Sequence, residues 1–244
     1  VSRMAEVIGN HTNYGEAIGI LMLETYFPRI PGDIGNATTF PFPVRYYTVK
    51  GADGVNVAKS FDKNVVPLFT EGARELERQG VRAIVTSCGF SAVFHRELAD
   101  AVGIPVFSSS LIQLGIVYSM LKRGQKVGVI TADAESLTEA HFKGVGMQDI
   151  PREIIGMEHT AFSSMFYDGV QSIDIDATEK GMRERAARLV REHPEIGAIV
   201  LECTNMPPFA KAVQEETGLP VFDIISLVKY VHSAVVQTEY KGYM

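Results

Sequence analysis

Ala83-Ile84-Val85-Thr86-Ser87-Cys88 returns further along the chain as Ala198-Ile199-Val200-Leu201-Glu202-Cys203. The match runs on without a gap. Phe94 falls on Phe209, Gly103 on Gly218, and Pro105-Val106-Phe107 on Pro220-Val221-Phe222, every pair 115 positions apart. Each copy is a short apolar run rich in β-branched residues, as a buried parallel strand requires, and each ends in a cysteine. Cys88 and Cys203 are the only cysteines. One thiol per duplicated half predicts two thiols facing each other across a pseudo-two-fold axis. That arrangement suits moving a proton between the two faces of one carbon.

Strand and helix signals alternate outward from these runs. Strands are expected over Ala17 to Leu23, Val44 to Lys50, Arg82 to Ser87 and Val106-Phe107, then over Lys126 to Thr131, Arg152 to Met157, Gly197 to Glu202 and Val221-Phe222. Between them, Asn64 to Gln79 carries an apolar stripe (Val65, Phe69, Ala73, Leu76) and stops at Gly80. Ala177 to His193 has Met182, Ala186, Leu189 and Val190 on one side, with Asp176 as its expected cap and Glu184–Arg188 as a supporting pair. Pro207-Pro208 suit a first helical turn, and Ser226 to Gln237 reads as an amphipathic terminal helix. The alternation predicts an α/β fold of two pseudo-symmetric domains, each a mostly parallel sheet of about four strands flanked by helices. The domains expected are residues 15–113 with 224–244, and residues 114–223. A Pro/Gly-rich stretch from Pro28 to Pro43 follows the first strand, where α/β proteins place binding loops.

Composition narrows the function classes. The chain has 244 residues, 46% hydrophobic and 21% charged, with a formal net charge of −6. No basic patch stands out, which argues against nucleic acid as a partner. No apolar run approaches the roughly 18 to 20 residues of a membrane span, and the polar stretch Val1 to Tyr14 lacks a signal core, so a cytoplasmic protein is expected. Two cysteines make no disulfide framework. Dinucleotide, P-loop, Gly-x-Ser-x-Gly and Cys-x-x-Cys motifs are missing. The six histidines lack metal-ligand spacing, and no lysine stands out as a Schiff-base former, so neither a metal nor pyridoxal is expected.

Each cysteine closes a strand and precedes a helix, at the sheet edge where ligands bind. The backbone N–H groups of Gly89, Phe90 and Ser91, and of Thr204 and Asn205, are placed to stabilise a thiolate or a substrate carboxylate. A thiolate on one face would take the proton beside a carboxylate and a thiol on the other would return one. For the base to be populated near neutrality, the thiol pKa is expected to fall below its ordinary value of about 8.5. Arg29 and Lys50, in the loops after the first two strands, are either solvated charges or partners for an anionic substrate. Asp33 either braces its loop or touches the substrate; Glu24 is either an acid near a cysteine or a salt-bridge partner.

Thr86-Ser87-Cys88-Gly89 and Glu202-Cys203-Thr204-Asn205-Met206-Pro207 resemble the paired cysteine motifs of the aspartate/glutamate racemase superfamily, which includes hydantoin racemases, maleate isomerases and arylmalonate decarboxylases. The resemblance runs from Gly19 to about Val228. It implies two similar α/β domains, an interdomain active site, no cofactor, a small carboxylate-bearing substrate, and one cysteine as proton acceptor with the other as donor. It also implies that Thr131 approaches the substrate, and it allows a homodimer. The chain departs from the amino-acid racemases at Gly89-Phe90, where they have Asn-Thr, at Asn205, where glutamate racemases have His, and at Leu23-Glu24-Thr25, where they have Asp-Ser. The expected function is a cofactor-independent racemase or epimerase. The alternatives are a maleate-type cis–trans isomerase using a cysteine nucleophile and a non-catalytic binding protein. A malonate decarboxylase needs only one cysteine, so the retained pair argues against it.

Overall fold

The computed structural model describes residues 9–59, 61–167, 172–240 and 242. The first eight residues of the polar stretch Val1 to Tyr14 therefore lie outside the described residues.

The first half runs β1 (Ile18–Leu23), β2 (Val44–Val49), α1 (Val66–Arg78), β3 (Ala83–Thr86), α2 (His95–Asp100) and β4 (Val106–Phe107). It continues through α3 (Leu114–Ser119) into the second half: β5 (Lys126–Thr131), α4 (Glu139–Gly144), β6 (Arg152–Gly156), α5 (Ala161–Tyr167), α6 (Ile175–Glu192), β7 (Ile196–Leu201), α7 (Ala210–Thr217), β8 (Val221–Phe222) and α8 (Ile224–Val235). The strands form two parallel sheets of four, ordered β2-β1-β3-β4 and β6-β5-β7-β8. The α/β fold predicted from the alternation is thus observed, with the same strand order in each half.

The duplication is preserved down to single hydrogen bonds. Ile84 N–H donates to Pro105 O and Ile199 N–H to Pro220 O, both at 2.9 Å. Beyond each cysteine the same turn closes, Ser91 N–H on Cys88 O at 3.0 Å and Met206 N–H on Cys203 O at 3.1 Å. The central strands also share a glycine. A Cβ on Gly19 would lie 3.0 Å from Leu76 of α1, and one on Gly128 would lie 3.0 Å from Leu189 of α6, so both glycines let a helix sit close on the sheet.

Every residue of β1 is buried because helices cover both faces of its sheet. On one face Leu21, Leu23 and Ile84 pack with Phe69, Ala73 and Leu76 of α1 and Leu98 of α2. On the other, Ile18, Ile20, Ala83 and Val85 meet Ile224, Leu227 and Val228 of α8, the last helix of the chain. Conversely Leu114 and Val117 of α3 pack on Val127, Val129, Ala198 and Val200 of the second sheet. Each half thus sends the helix after its last strand to the other sheet, which locks the two halves together. Each such large apolar side chain stabilises the fold by about 1.5–3 kcal/mol.

Two local expectations change. Asp174, not Asp176, caps α6: its backbone is extended and its carboxylate accepts from Ala177 N–H at 2.9 Å, while Asp176 already lies in the first turn. Arg188 pairs with Glu192 at 2.9 Å, and Glu184 with Lys180 at 3.9 Å. Among the described residues no helix is long and apolar enough to cross a membrane.

Candidate active site

The two strand ends are fastened first to their own sheets and then to each other. Ser87 Oγ accepts from Leu23 N–H at 2.8 Å, and Thr86 Oγ1 donates to Ser108 O at 2.7 Å. Ser110 Oγ then donates to Leu201 O at 2.6 Å, and Thr204 Oγ1 donates to Ser87 O at 2.5 Å. The hydroxyl of each half holds the strand end of the other. Cys88 and Cys203 emerge from these anchored ends, neither fully buried, as free thiols lining one cavity.

That cavity has a volume of about 50 Å³. A single water needs about 10–15 Å³ on this measure, so there is room for roughly three to five water-sized groups, the scale of a small acid. Gly89, Phe90, Asn205 and Arg29 share its wall with the cysteines, as do Leu23, Thr25, Phe27, Ala132 and Glu202. Ser91, Thr131 and Thr204 are fully buried and do not line it. Lys50 does not reach it either. It is exposed beyond the end of β2, and β2 is an edge strand, one position removed from the cysteine-bearing β3.

Arg29 arrives through the Pro/Gly-rich loop. Gly35 lies against its side chain, where a Cβ would come within 2.3 Å of Arg29 Cδ. Gly32 adopts a positive φ of 102° and would bring a Cβ within 2.9 Å of Pro208 Cα, so only glycine lets the loop seat on the turn after Cys203. Arg29 Nη1 donates to Asp33 Oδ1 at 2.8 Å and Nη2 to Thr25 Oγ1 at 2.7 Å, while the guanidinium lies over the Phe27 ring. The buried Asp33 also accepts from Asn205 Nδ2 at 2.7 Å, and Asn205 Oδ1 lies 3.5 Å from the Cys203 sulfur. Asp33 is therefore a brace, joining the loop arginine to the residue that contacts the second thiol. Glu24, half-buried, accepts from Gly51 N–H at 2.9 Å and does not line the cavity.

The electrostatics reverse one expectation. Burial, and then the charge of Glu202, push the Cys88 thiol up to about 12, outweighing the Phe90 and Ser91 N–H groups aimed at its sulfur. Burial and Glu202 likewise raise Cys203 well above its ordinary value, against the opposing Asn205 N–H. Both environments thus favour the thiol over the thiolate as long as Glu202 is charged. Sequence reasoning passed over Glu202 as a site residue. It is completely buried, burial lifts its carboxyl to about 7, and its Oε2 accepts from Thr131 Oγ1 at 2.8 Å. The available signal was a charged residue ending an otherwise apolar strand.

Comparison with known proteins places this geometry. The Asp/Glu/hydantoin racemase family model matches residues 41–228. Dimethylsulfoniopropionate lyase of Durusdinium sp. clade D is 28% identical over 216 residues, covering 86% of this chain and 71% of that protein. Dimethylsulfoniopropionate lyase 3 of Emiliania huxleyi is 30% identical over 220 residues, covering 86% of this chain but only 57% of the relative's length. Allantoin racemase from Klebsiella pneumoniae has the same fold, with a TM-score of 0.65 at 18% identity over 90% of this chain and 88% of that one. The family match takes in both strand–cysteine–turn units and most of both sheets, and on that ground this chain is a member of the Asp/Glu/hydantoin racemase family of enzymes.

Proposed function

We propose that this chain is a cofactor-independent racemase or epimerase of a small carboxylate-bearing compound, with Cys88 and Cys203 exchanging the proton on opposite faces of the α carbon. The observation that carries the reading is that both sulfurs line one cavity from equivalent strand ends in the two halves. A carbon acid bound between them would lose its proton to one sulfur and regain one from the other, inverting the centre. Arg29, its charge balanced by Asp33, offers its remaining guanidinium N–H donors at the wall to the substrate carboxylate. The small, largely apolar enclosure strengthens that attraction and excludes water from the carbanion.

A second reading has its own support in the relatives named dimethylsulfoniopropionate lyases. It shares the first step. Once the α proton has gone to a cysteine, the electron pair forms a carbon–carbon double bond and expels a β substituent, so the outcome is elimination.

One experiment separates these outcomes. Amino and hydroxy acids, and dimethylsulfoniopropionate, are incubated with the protein in deuterated water. Proton NMR follows the α position, and headspace analysis follows dimethyl sulfide. Racemase activity washes deuterium into the α carbon and inverts it, and both Cys88→Ser and Cys203→Ser abolish the inversion. Dimethyl sulfide release would replace the racemase reading with the lyase reading. Ligand binding without exchange or release would leave a binding protein.

A further inference from the structure

We propose that Glu202 is a third member of the proton-transfer site, storing the proton that a thiol must give up, so that the Cys88/Cys203 pair carries its thiolate with Glu202 protonated. The proposal rests on the reading of the two cysteines as proton acceptor and donor, and Glu202 acts through them, not on the substrate. The placement is the first argument. Glu202 immediately precedes Cys203, and its carboxyl reaches across to the other half, where a Cβ on Gly89 would lie 2.0 Å from Oε1. Gly89 in turn immediately follows Cys88. The carboxyl thus shares the cysteines' cavity wall and lies near enough for its charge to raise both thiols.

The second argument is an unmet valence. Oε2 accepts from Thr131, but Oε1 is buried with no hydrogen-bond partner. A buried acceptor without a donor costs about 1–3 kcal/mol, more for a charged group, and a proton placed on it removes the charge. The step balances. The S–H bond of one cysteine breaks, the proton forms an O–H bond on Oε1, and a thiolate remains. No electrons leave the site, which holds one negative charge before and after. Run toward the other sulfur, the same step returns the pair to its starting protonation after an inversion. Among the described residues, the other titratable side chains at the cavity are Arg29, which belongs to Asp33, and the two thiols themselves.

Because Glu202 sits near 7 and its charge raises both thiols, the three groups titrate as a coupled set. Below about pH 7 the thiolate fraction should climb tenfold per pH unit. Above it the charge on Glu202 holds each thiol protonated and the climb stops.

The test is the pH profile of cysteine alkylation by iodoacetamide, read for each thiol by peptide mass spectrometry. It needs no substrate, so its outcome stands whether or not isotope exchange is found. The wild-type rate is expected to rise to about pH 7, level off, and rise again at strongly alkaline pH. In Glu202→Gln the break disappears, the rate climbs through about pH 9, and there it exceeds wild type by at least about tenfold. Thr131→Val removes the hydrogen bond that lowers the Glu202 pKa and should move the break to higher pH. A wild-type profile without a break near neutrality overturns the proposal unaided. So does an unchanged break in Glu202→Gln or, should that variant not fold, in Thr131→Val.

Discussion

Replacing Glu202 by Gln should change how stability depends on pH by an amount the structure sets. In the unfolded chain the carboxyl titrates near 4.5, and in the fold burial lifts it to about 7. Between these values the native state holds a proton that the unfolded state has released. The stabilisation from the raised pKa is therefore complete below about pH 4.5 and is lost as pH rises through about 7. At 1.36 kcal/mol per pH unit of displacement, the loss is about 3 kcal/mol. Burial shifts other groups too. Burial lowers His95, His141 and His232, which makes stability rise with pH, while buried Asp223 is raised and acts in the same sense as Glu202. These contributions are common to both proteins and cancel in the difference. Gln keeps an oxygen for Thr131 Oγ1 and nearly the same volume, so the variant isolates the ionisation. Urea unfolding of both proteins at intervals from pH 4.5 to pH 8 gives the difference curve. Wild type should lose about 3 kcal/mol relative to Glu202→Gln across that span. A difference that stays flat within about 0.5 kcal/mol would refute the burial of an ionisable carboxyl here.

Gly89→Ala should be strongly destabilising. Its Cβ would meet Glu202 Oε1 at 2.0 Å and, less avoidably, the Glu202 backbone oxygen at 2.4 Å. Overpacking against backbone should cost about 3 kcal/mol in urea unfolding, whereas Gly54→Ala, where a Cβ meets nothing within 4 Å, should stay within about 1 kcal/mol of wild type. Asp33→Ala leaves both the Arg29 guanidinium and Asn205 Nδ2 without their buried acceptor. It should lower stability by about 3 kcal/mol in the same assay, and a loss below about 1 kcal/mol would show that the brace is not holding the loop.

The parts of the site legible in the sequence are those that local chemistry fixes. An apolar run long enough for one buried strand, followed by a cysteine and a turn, specifies a thiol at a sheet's carboxyl edge, and its repetition specifies a second. The structure brings Cys88, Gly89, Phe90, Cys203, Asn205 and Arg29 to one cavity. Of the two readings open for Lys50 the structure has the solvated charge: following a strand carries no information on where that strand lies across the sheet, and β2 lies at the edge. The thiol pKa direction was misjudged for a related reason. The N–H groups after each cysteine are local and visible in the sequence, whereas burial and the charge of Glu202 outweigh them and are not.

Sequence alone therefore determined the alternation of strands and helices, the twofold repeat and the positions of the two sulfurs, because periodicity, turn chemistry and duplication are properties of neighbours along the chain. The tertiary structure decided that Asp33 ties Arg29 to Asn205, and that a carboxyl from one half rests on a glycine of the other. Those relations join residues distant in sequence. Their energetics depend on exclusion from water, which no residue possesses until the two halves have closed on each other.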